Sequence, residues 1–249
     1  TRMPALATSA VLLVRRGETV VDSVIAEARA LAEPTGDLQR LAPVAIARAE
    51  LAWLRGDVAA LRNAIEPVYE QALAAPQPWV LDELAFWLWR SGGRPTIPFD
   101  RGTAYAIQIQ GHWAAGAAAW AELGCPYQEA TALMDALEPD PLLASLATLD
   151  RLGADPAAGL VRHKLHALGV RGIPRGPRPS TRANPAGLTA RQLEVLQFLA
   201  QDLTNAQIGE RLYVSPKTID HHVSAILAKL EAPTRRDAAR IGVELGLVD

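Results

Sequence analysis

The chain of 249 residues carries one cysteine, Cys125, so it cannot close an internal disulfide, and its thiol usage fits a reducing compartment. Lysine is almost as scarce, with only Lys164, Lys217 and Lys229. These follow His163, Pro216 and Ala228, so none lies in the Gly-Lys-Ser/Thr loop that cradles nucleotide phosphates. No Gly-x-Ser-x-Gly elbow is present, and Cys125 stands before Pro126 in a turn between helical segments, a structural position. The apolar run 10–14 stops at Arg15 and Arg16, and no other approaches the roughly 18 residues of a membrane span. Strand-like alternation of β-branched residues is missing too, which excludes the parallel sheet of a phosphoacceptor receiver. His163 and His166 share a helical face without an acidic or Cys partner, and the adjacent His221 and His222 diverge by about 100°, so neither pair reads as a metal site. The expectation is a cytoplasmic, non-enzymatic protein that holds no metal or cofactor and no membrane segment.

The sequence is rich in alanine and leucine, 49% hydrophobic and 21% charged, with a net charge of −2. That charge is unevenly spread. Residues 1–169 carry 14 basic against 19 acidic side chains, residues 170–182 carry four arginines and no acid, and residues 183–249 carry 7 against 8. The opening at Thr1, without Met or a signal peptide, reads as that of a partial chain.

Residues 1–169 read as helix after helix: 20–32, 38–55, 58–75, 79–90, 114–123, 127–137, 142–152 and 157–168, each bounded by Gly, Pro or Asp. Short turns between helices of this length force antiparallel neighbours. The expected architecture is all-α: an α-solenoid of tetratricopeptide-like hairpins, although no 34-residue repeat recurs in register. Trp53, Trp79, Trp87, Trp89, Trp113 and Trp120 fill space between small side chains, or line a groove for a ligand or partner. Residues 170–187, with Pro174, Pro177, Pro179, Pro185 and three glycines, form a linker. Its Arg171, Arg175, Arg178 and Arg182 suit a solvated spacer better than phosphate contacts.

Residues 188–249 contain four explicit helix starts. Thr189 with Gln192 and Thr204 with Gln207 are capping boxes, Ser215-Pro216 is a cap followed by a first-turn proline, and Thr234 precedes Asp237. The second and third helices, joined by a turn at Tyr213-Val214-Ser215, form a helix-turn-helix over 204–223. At 100° per residue, Ile219, Val223, Ile226 and Leu230 fall on one face of the helix 216–230. Lys217, Asp220, His221, Ser224 and Ala228 fall on the other, while Thr218, His222 and Lys229 flank both. The first set is core and the second an exposed row of small polar groups that a DNA major groove accommodates.

Leu188-Thr189-Ala190-Arg191, Thr204-Asn205-Ala206-Gln207-Ile208, Ser215-Pro216-Lys217-Thr218-Ile219, His222-Val223 and Ile226-Leu227-Ala228-Lys229-Leu230, followed by Arg235 and Ala238, resemble the LuxR-type (GerE-like) DNA-binding domain of bacterial transcriptional regulators. The resemblance implies base-edge contacts at Asp220, His221 and Ser224, and phosphate contacts around Lys217, Thr218, Lys229 and Arg235, with Asn205 in the same surface. Asp220 departs from the Lys or Arg of many relatives, and a carboxylate there accepts from a cytosine amino group. His222 suits packing or backbone hydrogen bonding as well as DNA. Few cations per domain imply a homodimer on double-stranded DNA, with Ala239, Gly242 and Val243 of the fourth helix as the interface. The whole chain resembles the C-terminal part of large ATP-binding LuxR regulators, so ATP enters only if a module precedes Thr1. Two readings remain beside a DNA-binding regulator whose helical repeats sense a protein or small-molecule ligand. One is a helical-repeat scaffold, and the other is the regulatory end of a longer ATPase regulator.

Overall fold

A computed structural model of the chain describes residues 2–74, 78–96, 102–176 and 186–248, the side chains of Pro78 and Trp79 excepted. Two compact units result, Thr1–Pro174 and Arg175–Asp249. Every regular element among the described residues is helical, as composition and punctuation led us to expect.

The first unit comprises α1 (Arg2–Arg16), α2 (Val21–Ala32), α3 (Leu38–Leu54), α4 (Val58–Ala74), α5 (Pro78–Arg90), α6 (Ala104–Ile109), α7 (Trp113–Glu122), α8 (Pro126–Leu133), α9 (Pro139–Leu152) and α10 (Asp155–Ala167). Local chemistry sets their ends. The Asp37 carboxylate accepts from Gln39 N, Asp57 Oδ1 from Ala60 N and Thr103 Oγ1 from Ala106 N, each satisfying a first-turn amide. Gly153 closes α9 in the left-handed region, where glycine is strain-free.

Helices α1 and α6 are additions to the sequence reading. The buried stripe of α1 is Met3, Ala7, Ala10 and Val14, whose two alanines leave only the apolar run 10–14 conspicuous in the sequence. The six residues of α6 are held by the Thr103 cap and are too few for a periodic signal. Helix α8 stops at Leu133 instead of 137, and α9 starts at Pro139 instead of 142. Pro139 and Pro141 sit in the first turn of α9, where a missing amide costs nothing.

Successive helices pack as neighbours, and α10 returns onto α1 and α3. At the α1–α2 turn, Gly17 (φ +72°) lies against Pro156 at the start of α10, and a Cβ there would approach Pro156 Cγ to 2.9 Å. An open solenoid touches only its nearest repeats. This array closes on itself, and a regular tetratricopeptide repeat is not confirmed.

The interior is partly polar. Arg15 donates through Nε to Glu50 Oε1 (2.9 Å) and through a terminal nitrogen to Oε2 (3.3 Å), while its guanidinium lies 4.0 Å from the Tyr127 ring centroid. Glu50 is only 1% exposed, so this pair holds a charge that burial alone would forbid. Edge-on and tilted ring contacts link Trp53, Trp87, Phe86, Tyr105 and Trp120. Trp120 Nε1 donates to Gln108 Oε1 at 2.8 Å, which turns the Gln108 amide nitrogen the other way, where it has no protein partner. Gly116 makes this packing possible: a Cβ there would meet Gln108 Cγ at 2.5 Å. Of the six tryptophans, Trp87 and Trp120 are buried, and Trp53, Trp89 and Trp113 are half-buried. The Trp79 side chain lies outside the described residues.

Burial pushes the Glu83 carboxyl above its ordinary value of 4.5, with the Tyr105 hydroxyl pulling against it and the Glu50 charge adding to it. A carboxyl raised on folding stabilises the folded state only while protonated, so this contribution fades as pH climbs from 4.5 through the raised value. Glu83→Gln is therefore expected to make the helical unit more resistant to urea than the parent at pH 7. The advantage shrinks as pH falls toward 4.5, and denaturation midpoints across that range check it.

Candidate nucleic-acid interface

The second unit is built on α11 (Ala190–Ala200), α12 (Asn205–Leu212), α13 (Pro216–Lys229) and α14 (Arg235–Glu244). All four begin where the sequence places them. Thr189 and Gln192 exchange side-chain-to-backbone hydrogen bonds, Thr204 and Gln207 do the same, Ser215 Oγ accepts from Thr218 N, and Thr234 Oγ1 accepts from Asp237 N.

The core joins Ile219, Val223 and Ile226 of α13 and Leu230 at its C-cap to Val195, Leu196 and Leu199 of α11, Ile208 of α12 and Ala238 of α14. Burying this stripe fixes how α13 is rotated, since its side chains follow a 3.6-residue period. The angle between α12 and α13 is set at Gly209. A Cβ there would lie 2.7 Å from the Val214 carbonyl oxygen, so the tight turn tolerates no side chain at this position.

The opposite face of α13 is open: Lys217, Asp220, His221, Ser224 and Ala228 are exposed, while Thr218 and His222 are half-buried at its margins. Thr218 Oγ1 sits 2.9 Å from Ser215 Oγ at the helix start. Asn205, the first residue of α12, donates from Nδ2 to Asp220 Oδ1 across 3.4 Å. Its own Oδ1 is buried without a partner. The Asp220 carboxylate is thereby held toward the α12 edge of the row rather than left to swing in solvent.

Lys229 and Arg235, two expected phosphate ligands, have work within the domain. Lys229 Nζ donates to the Gly187 carbonyl (2.7 Å) and to Gln192 Oε1 (2.8 Å), tying the end of α13 to the cap of α11. Arg235 donates to the Leu203 carbonyl. Other cations are similarly occupied: Arg191 pairs with Glu194 and donates to the Leu212 carbonyl, Arg211 lies over the Phe198 ring, and Arg240 pairs with Glu244. On α14, Gly242 is buried, and a Cβ there would meet Leu196 Cδ2 at 2.8 Å. Ala239 packs on the same core, which leaves Val243 as the exposed member of the trio read as an interface. Among the linker residues, Val170 and Ile173 pack against the helical unit and the Pro174 carbonyl accepts from Arg162. Pro177, Arg178, Pro179, Arg182 and Pro185 lie outside the described residues.

Tyr213 went unremarked in the sequence beyond its place in the turn. It ends α12 with φ +54°, and its side chain is 95% exposed. A residue at this helix end must adopt the left-handed conformation, which glycine or asparagine usually supplies. An exposed aromatic residue there is a signal legible in retrospect. Because the strain is local and no packing is lost, Tyr213→Gly should leave the domain as stable or raise its stability by up to about 1 kcal/mol, read from urea denaturation.

Residues 186–241 match the family described as bacterial regulatory proteins, luxR family. Over 52 residues the chain is 44% identical to the transcriptional regulatory protein LiaR of Bacillus subtilis (strain 168), covering 21% of this chain and 25% of that protein. It is 40% identical over 60 residues to the DNA-binding transcriptional activator DevR/DosR of Mycobacterium tuberculosis (strain ATCC 25618 / H37Rv), covering 24% and 28%. A longer match, 35% over 97 residues, joins it to the putative HTH-type transcriptional regulator Rv0890c of the same organism, covering 37% of this chain and 11% of that protein. The chain thus spans about a quarter of the length of the first two relatives and far less of the third. No solved structure matches.

Proposed function

With a luxR-family helix-turn-helix domain at residues 186–241 as premise, we propose that the protein is a transcriptional regulator that lays α13 in the major groove of double-stranded DNA. One observation carries this reading: the row Lys217, Asp220, His221 and Ser224 stands open on a helix whose other face is locked into the core. His221 and Ser224 read base edges. Asp220, positioned by Asn205, accepts from a cytosine amino group, and Lys217 and Thr218 meet phosphate at the helix start. Tyr213, beside that start, reaches the sugar-phosphate backbone. Its loss would lower DNA affinity without lowering stability.

Lys229 and Arg235 act mainly by fixing α11, α13 and the 201–204 loop in register, which leaves Lys217 and Arg236, an exposed residue in the first turn of α14, as the cations for direct phosphate contact. So few contacts make one domain a weak binder, and the protein works as a homodimer on a two-fold site in the cytoplasm. The helical unit serves as its sensor or interaction region.

Fluorescence anisotropy with random and selected duplexes over a range of salt tests this reading. Two phosphates neutralised by cations per domain give a log–log salt slope of about −4 for a dimer, against about −7 if Lys229 and Arg235 also reach phosphates. Asp220→Lys should tighten binding to any sequence, steepen the slope by about 2 and erase preference at one base pair per half-site. No binding at low salt would leave the helical-repeat scaffold as the better reading, and equal weakening on all sequences would refute the place given to Asp220.

A further inference from the structure

Between the first turn of α4 and the outer face of α10 runs a cleft of about 280 Å³, near the lower bound of small-molecule sites. Helix α4 packs on α3 and α5, and α10 packs on α1, α3 and α9. Val58, 57% exposed, and the half-buried Trp53 and Leu160 present apolar surface to the cleft, and the buried Leu61 and Met134 lie beneath them. Among the described residues, the charged or titratable groups that line it are Arg90, His163 and Lys164, and no carboxylate does.

The neighbouring acids are already engaged. Asp135 holds Arg90 in a two-pronged pair, its second contact 2.8 Å long. Asp57 Oδ1 is turned into its own helix, accepting from Ala60 N at 2.9 Å. Arg90 is pinned over the rings of Trp53, Phe86 and Trp89. Lys164 differs. Its ammonium donates one hydrogen bond, to the Met134 carbonyl at 2.6 Å, and an ammonium carries three N–H groups. Partial burial lowers its pKa, Asp135 opposing this and Arg90 adding to it, and the residue stays exposed, so its ammonium is open to a ligand.

We infer that this cleft binds a small organic anion with a flat apolar body, the body lying against Val58, Trp53 and Leu160 above the buried Leu61 and Met134, and the anionic group bonded to Lys164. The charge complementarity is one-sided, since the walls are apolar and the polar lining groups are all basic or neutral donors. A ligand here would bridge the start of α4 and α10, the helix whose return onto α1 and α3 closes the array. The inference names a ligand class for the sensor role proposed above. Its readout is binding in the helical unit, so it stands or falls separately from DNA recognition.

Isothermal titration of the full chain with 1-naphthoate and with its uncharged counterpart 1-naphthalenemethanol tests it. One naphthoate per chain should bind about tenfold or more tighter than the alcohol. Lys164→Gln, an exposed change expected to preserve helicity by circular dichroism, should cut the preference to about threefold or less, whereas Arg151→Gln, outside the cleft, leaves it intact. Equal binding of the two probes, binding of neither, or an anion preference that survives Lys164→Gln would overturn the inference. Loss of DNA binding with naphthoate binding retained would fault the DNA reading alone.

Discussion

Everything at the candidate interface depends on the burial of one stripe, Ile219, Val223, Ile226 and Leu230, against α11, α12 and α14. That burial removes any choice in how α13 is rotated, and the exposed row is its geometric complement. The energetic scale is large. Each fully buried branched side chain contributes about 1.5–3 kcal/mol relative to exposure, whereas a surface ion pair contributes about 0–1 kcal/mol. Presentation of polar side chains is thus enforced by the apolar ones behind them. Gly209 adds the second constraint, since the turn before α13 is drawn so tight that a methyl group would collide with backbone.

The charged groups divide between holding the domain and facing outward. Lys229, Arg235 and Arg191 donate to main-chain carbonyls at helix ends and loops, where their loss would leave acceptors unsatisfied. Lys217, Asp220 and His221 have no comparable duty to the fold, except that Asn205 steadies Asp220. Family resemblance alone does not separate these classes, because the same residue type serves either purpose. In the helical unit, a comparable economy sets Glu50 and Asp135 against Arg15 and Arg90, while Lys164 donates to a main-chain carbonyl instead of a carboxylate.

Much of this was legible in the sequence because it is written in local chemistry. The four capping residues Thr189, Thr204, Ser215 and Thr234 lie where their hydroxyl groups meet first-turn amides, and the stripe of α13 is a plain 3.6-residue period. What escaped is non-local. The closure of α10 onto α1 joins residues about 140 positions apart, for which no period exists. Helix α1 buries alanines whose spacing is invisible in an alanine-rich chain, and the inward face of Gly242 depends on Leu196 of another helix. The partners of Lys229 likewise come from residues 187 and 192, brought near only by folding.

The groove that α13 enters is the central claim, and methylation interference reports it directly. Duplex selected by the protein is methylated at guanine N7, which lies in the major groove, and at adenine N3, which lies in the minor groove, and bound and unbound fractions are compared. The account predicts that N7 methylation at specific guanines in each half-site excludes DNA from the bound fraction while N3 methylation at adenines of the same half-sites does not. Exclusion confined to adenine N3, or interference at neither atom, would contradict it.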